Sequence, residues 1–169
     1  MILGMPVAHF TLLHTAISLI AIVAGIVMLA GMVRGRFCAR THGVFLLTTI
    51  ATSATGFMFP LAQFGPPRIF GLISFAALAA ALFALYVERL KGRWRVIYIG
   101  TVWLTFYLNV VVLVVQSFQK IPALNVFAPT QKEPPFLATQ SAVLLLFVIC
   151  GVLALRRFRP PAGKLLPLR

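Results

Sequence analysis

Apolar residues run in five long blocks, near residues 9–33, 43–62, 69–87, 96–116 and 137–155, parted by short stretches where Arg, Lys, Gly and Pro collect. Each block approaches or exceeds the roughly 20 residues that carry a helix, at about 1.5 Å per residue, across a hydrocarbon core of about 30 Å. None shows the two-residue alternation of a barrel strand, and lipid leaves no third way to satisfy the backbone. The pattern predicts an all-α integral membrane protein: a five-helix transmembrane bundle over residues 1–155, with a long connection at 117–136 and a basic tail at 156–169. The first block is expected to remain as a span rather than be cleaved as a signal. MILGMPVAHF lacks a basic lead, the apolar run is long, and a basic cluster follows it.

The gaps between blocks carry the orientation, because Lys and Arg are retained on the cytoplasmic side. Arg34, Arg36 and Arg40 follow the first block, Arg89, Lys91, Arg93 and Arg95 follow the third, and Arg156, Arg157, Arg159, Lys164 and Arg169 form the tail. The opposite side receives only Arg68, Lys120 and Lys132. Twelve against three predicts an N-terminus outside and a C-terminus inside, as an odd number of spans requires. Tyr86, Trp94 and Tyr98 then fall near the inner interface, where aromatic rings are expected.

Composition agrees with a bilayer and changes the meaning of the charge. Hydrophobic residues make up 61% of the 169, and charged residues only 10%, where soluble chains carry about a quarter. A net charge of +13 would suggest nucleic acid in a soluble domain, but here it sits in short clusters between apolar runs, so anionic lipid headgroups are the expected counter-ions and nucleic acid is not an expected partner. Cys38 and Cys150 show no metal-ligand spacing with a histidine and are expected to be free thiols.

The acid inventory removes most reaction classes. Asp is absent, and Glu88 and Glu133 fall on opposite sides, so neither a Ser-His-Asp triad nor an acid/base carboxylate pair can form. No carboxylate lies within a block, where ion-coupled transport would want one. Haem b would need two imidazoles at one depth. His14 and His42 lie near opposite faces, His9 and His14 point about 140° apart on one helix, and His42 is expected to be an interfacial residue at a helix start. The cofactor content is left open, and no catalytic or metal residue is assigned.

Within the blocks, polar residues form stripes: Thr11, His14, Ser18, Ala21 and Gly25; Thr48, Thr52 and Thr55; Thr105, Asn109 and Gln116. Such stripes turn from lipid and bond across helices. Ala76, Ala80 and Ala84 mark the third helix as packing only. Depth sharpens the picture, since His14, Gln63, Asn109, Gln116 and Gln140 all fall in the outer half and together make a candidate ligand-binding level. Trp103 or Tyr107 would line it if they face inward. Above it, the segment with Pro122, Pro129, Pro134 and Pro135 is expected to act as a pre-ordered lid with an apolar underside of Phe118, Ile121, Leu124, Phe127 and Phe136.

The basic RxRFxxRTHGxF lead into the second helix, TTIATSATG, WLTFYLNVVVLVVQSFQKIPALNVFAPT and the following EPPF resemble a group of uncharacterised bacterial multi-pass membrane proteins defined by a domain of unknown function. The likeness covers most of residues 34–140 and implies a bacterial inner-membrane helical bundle, with no activity attached. Two main functions are expected from the residues: a small structural or accessory membrane subunit that meets lipid, a partner protein or a second copy, or a module binding a quinone-like amphiphile in the outer level. A channel or carrier for a neutral solute is a third.

Overall fold

The computed structural model describes residues 1–59 and 66–160, the side chains of Pro66 and Pro67 apart. Gln63 and the basic residues Lys164 and Arg169 lie outside the described residues. The described chain is helical, without a strand: α1 Val7–Val33, α2 Ala39–Phe57, α3 Pro66–Leu82, α4 Arg93–Lys120, the short α5 Pro122–Asn125, and α6 Pro134–Arg157. A single π-helical turn, Phe83–Val87, continues α3. Four stretches are long and apolar enough to cross a membrane, namely Val7–Val33, Arg68–Val87, Arg93–Lys120 and Pro134–Arg157. The second block differs, because α2 starts one turn earlier than expected and draws Arg40, Thr41 and His42 into its helix, which with four further threonines lowers its hydropathy.

The helices pack as a ring in which α1 touches α2 and α6, α2 touches α3, α3 touches α4, and α4 touches α6, with α1 and α4 meeting across the middle. Residues near 35–42, 95–98 and 155–158 converge at one end. Arg95 Nη1 donates to Leu155 O (3.0 Å) and Phe158 O (2.7 Å), and the Phe158 ring packs on Phe37 and His42. This is the basic end. At the other, proline-rich end, Phe10 meets Phe59 and Phe118 meets Phe136.

The two halves of the bundle are filled differently. The half toward the basic end is solid: Met28, Met32, Phe45, Leu78, Ala81, Leu85, Ile99, Val102 and Phe106 form one buried cluster. Phe106 lies so close to Gly25 that a Cβ there would fall 2.5 Å from its ring. Small residues here let large rings reach the axis. Conversely, the outer surface is apolar, with Leu12, Val23, Leu47 and Leu145 each more than 60% exposed. An inside-out surface of this kind is what lipid requires.

Several expectations change. The stripe on α3 is rotated: Ala76 is exposed, and Ser74, Ala77, Leu78, Ala81 and Ala84 form the buried face. Tyr98, expected near the inner interface, is fully buried among the helices, and so is His42 beside it, 2.6 Å from Tyr98 Oη through Nδ1. Most hydroxyls in the helices bond back to the carbonyl four residues earlier, as Thr48 does to Val44 O (2.7 Å) and Thr101 to Ile97 O (2.9 Å), instead of reaching across helices.

Candidate functional site

Toward the proline-rich end, α1, α2, α3 and α4 do not close on one another. They leave a cavity of about 550 Å³, within the range of small-molecule sites. From α1 come Thr11, His14 and Ser18, spaced by three and four so that one helix face carries all of them. Thr52, Ser53 and Gly56 of α2 stand opposite, Arg68, Phe70, Gly71 and Ser74 come from α3, and Leu108, Asn109, Val112, Gln116 and Lys120 from α4. Counting from Lys120 to Leu108 along α4, the cavity extends about 18 Å down the bundle. Phe57, Phe59, Leu19, Ile22 and Leu113 add apolar wall between the polar groups.

His14 is the best-defined polar group. Its Nδ1 lies 2.7 Å from Thr55 Oγ1, while the Thr55 hydroxyl is itself 2.7 Å from Ala51 O. A threonine hydroxyl has a single proton, and the carbonyl can only accept. Thr55 therefore donates to Ala51 O and accepts from His14 Nδ1–H, which leaves Nε2 unprotonated as an acceptor on a cavity-lining ring. Phe59 packs edge-on against the imidazole, with ring centroids 5.3 Å apart, and fixes its plane. Asn109 is held more loosely, its Nδ2 donating to Thr49 Oγ1 at 3.5 Å. Thr52 Oγ1 is buried and has no hydrogen-bond partner among the described residues. A buried hydroxyl left unpaired carries a desolvation cost that a ligand or water would relieve.

Three of the five residues expected at this level, His14, Asn109 and Gln116, line one cavity. Gln140 does not: it lies on α6, where its Nε2 donates to Val111 O (3.3 Å) and its Oε1 is buried without a partner among the described residues. Trp103 and Tyr107 also face away, stacked on each other at 5.6 Å and packed on α6, where the indole N–H donates to Phe147 O (2.7 Å).

The lid is corrected as well. Among the described residues, nothing from 121–136 lines the cavity. The segment instead folds down onto α4, with Asn125 donating to Phe118 O (3.0 Å) and Gln131 to Val115 O (3.1 Å). Ile121 and Phe127 are exposed rather than turned under. Pro122 opens α5, and Pro134 and Pro135 open α6, so the connection lies beside the cavity rather than over it.

Three lining residues were not legible as such. Ser74 is the one hydroxyl in the run GLISFAALAAAL, a signal obscured by the neighbouring alanines. Arg68 and Lys120 had a meaning only as topology markers, yet both line the cavity. A scan of protein-family models and searches of curated proteins and solved structures give no match, so the site is interpreted from its geometry.

Proposed function

We propose that this chain is a five-span inner-membrane protein that binds a small amphipathic molecule, quinone-like or similar in having one polar head on an apolar body. The observation that carries this reading is the cavity itself: a space of about 550 Å³ in which hydroxyls, an amide and one imidazole acceptor alternate with Phe, Leu, Ile and Val. The polar content of α2 fits a fifth span. Its His42, Thr49 and Ser53 are buried, whereas Val44, Leu47, Ala54 and Met58 form its exposed side, so lipid would meet an apolar helix. Basic residues gathered at one end support an orientation with that end in the cytoplasm and the cavity toward the outer leaflet of the bacterial inner membrane we propose.

A path for a solute fits less well, since Phe106 against Gly25 and the cluster beneath fill the inner half. Replacing His14 and Asn109 together by Leu tests the binding reading. Saturable binding of a fluorescent amphiphile to the purified protein in nanodiscs should fall at least tenfold, from loss of two polar contacts worth about 1 kcal/mol each. Unchanged binding would exclude the cavity as the site.

An accessory role is favoured by a different observation. Helix α6 buries only Phe147 and Ala154, leaving Leu144, Leu145, Leu146, Val148 and Ile149 exposed as a face for lipid, a partner subunit or a second copy. Site-specific photocrosslinking from position 145 in membranes would distinguish a protein neighbour from lipid alone.

A further inference from the structure

We infer that the molecule held in the cavity presents a hydrogen-bond donor to α1: its head carries a hydroxyl, as in a quinol, a phenol or an alcohol, and not the bare carbonyls of an oxidised quinone. The inference rests on the binding reading above and adds the chemistry of the head. What carries it is where the protons on α1 go. Thr11 Oγ1 donates to Val7 O (2.8 Å) and Ser18 Oγ to His14 O (2.7 Å), so each hydroxyl has spent its one proton inside its own helix and has only lone pairs left. His14, between them, is fixed in the same sense from α2. The Thr55 proton is held by Ala51 O (2.7 Å) and Thr52 O (3.2 Å), so the 2.7 Å contact to His14 Nδ1 needs its proton on the nitrogen, and Nε2 is left as an acceptor.

Thr11, His14 and Ser18 line the cavity from one face of α1, which thus offers acceptors and no donor at three successive positions. Nε2 has no hydrogen-bond partner among the described residues and stays accessible. Across the cavity, α4 supplies the complementary half. Asn109 gives one amide hydrogen to Thr49 Oγ1 (3.5 Å) and keeps a second donor. A hydroxyl satisfies both walls, since it donates to an acceptor such as Nε2 and accepts from an amide N–H. A carbonyl oxygen can be met from α4 but sets lone pair against lone pair on α1. Phe57, Phe59 and Phe70 add aromatic wall for the body.

The test uses the full-length protein in phosphatidylcholine nanodiscs under argon, at mildly alkaline pH where an ordinary imidazole is neutral. Decylhydroquinone and decylbenzoquinone share one carbon skeleton and differ only in the hydroxyl hydrogens; each is measured as saturable uptake above protein-free discs. The hydroquinone is expected to bind roughly tenfold tighter or more, as one unmade hydrogen bond to a desolvated acceptor implies. Thr55 lies outside the cavity lining, and Thr55→Val removes the group that keeps the proton on Nδ1, so it should shrink the preference to about twofold or less. His14→Leu should do the same by removing the acceptor. Ser74→Leu, which fills the cavity, should abolish uptake of both.

Equal affinities, a tighter quinone, or a preference unchanged in both Thr55→Val and His14→Leu would overturn the donor assignment and leave the binding reading standing. No uptake of either probe by protein that still binds the fluorescent amphiphile would overturn it as well, and no saturable uptake of any of the three would end both readings. Competition by decanol separates the sources. Displacement of the hydroquinone at similar decanol concentration identifies an aliphatic alcohol head, resistance identifies an aromatic one, and either supports the donor assignment.

Discussion

Removing the phenol oxygen of Tyr98 isolates one polar contact inside the solid half of the bundle. Tyr98 is 0% exposed and His42 2% exposed, and a hydrogen bond of 2.6 Å between Oη and Nδ1 joins them within a shell that includes Phe37 and Phe158. Tyr98→Phe keeps the ring and leaves the imidazole nitrogen with nothing to replace its partner. A buried group stranded in this way costs about 1–3 kcal/mol, and hydrogen bonds between membrane helices measured by double-mutant cycles reach about 1.7. Because both rings are fully enclosed, a value near the top of the membrane range is expected, about 1.5 kcal/mol, or roughly a tenfold shift in the unfolding equilibrium. The assay is equilibrium unfolding in mixed micelles followed by fluorescence of Trp94 and Trp103, on wild type, Tyr98→Phe, His42→Leu and the double variant. The double variant should cost less than the sum of the single ones by about 1 kcal/mol or more, since it strands neither group. A Tyr98→Phe change within about 0.3 kcal/mol of wild type, or strict additivity, would refute the claim that this bond holds the two helices together.

Other consequences follow from single contacts. Gly25→Ala places a methyl 2.5 Å from the Phe106 ring and should cost about 1–3 kcal/mol in thermal unfolding, whereas Gly100→Ala, with nothing within 4 Å, should be neutral or stabilising by up to about 1 kcal/mol. Hydrogen bonds from Thr41, first from its side chain and then its backbone, hold the exposed Cys38 thiol below its ordinary pKa, with Arg40 adding in the same direction. Its alkylation should therefore persist at pH values where an ordinary thiol is protonated, and Thr41→Val should move the half-rate pH upward. Glu133 ends below its ordinary pKa: desolvation is the largest single influence and acts upward, but bonds from Thr130 and Lys132 together outweigh it. A depressed folded-state pKa means that the carboxylate stabilises the turn above the unfolded pKa and loses that effect as pH falls through the folded one. Amide exchange at Thr130 and Lys132 should accelerate in acid, and Glu133→Gln should show the faster exchange already at neutral pH.

Block length and lipid chemistry made the helices legible, because a backbone in hydrocarbon has few solutions. Their ends were less so: α4 runs to Lys120 and α6 begins at Pro134, since helices continue past the apolar block into the interface. His14, Asn109 and Gln116 could be placed together from depth and azimuth alone, both of which follow from helical rise and period. Gln140 shared their depth but sits on the far side of α4, a matter of ring order that depth does not encode. The pairing of His42 with Tyr98 needed helix packing as well, since each residue alone resembles an ordinary interfacial side chain. The same limit hid the true buried face of α3, where alanines occupy both the exposed and the buried stripe.

Native mass spectrometry of the gently extracted protein, wild type beside Ser74→Leu, bears most directly on the central claim that the hollow half of the bundle is a binding site. Wild type should retain one small amphiphile per chain through removal of the detergent, and Ser74→Leu should fly without it at unchanged stability. A wild-type protein that is empty under the gentlest extraction, or a filled variant that keeps the same adduct, would contradict the account.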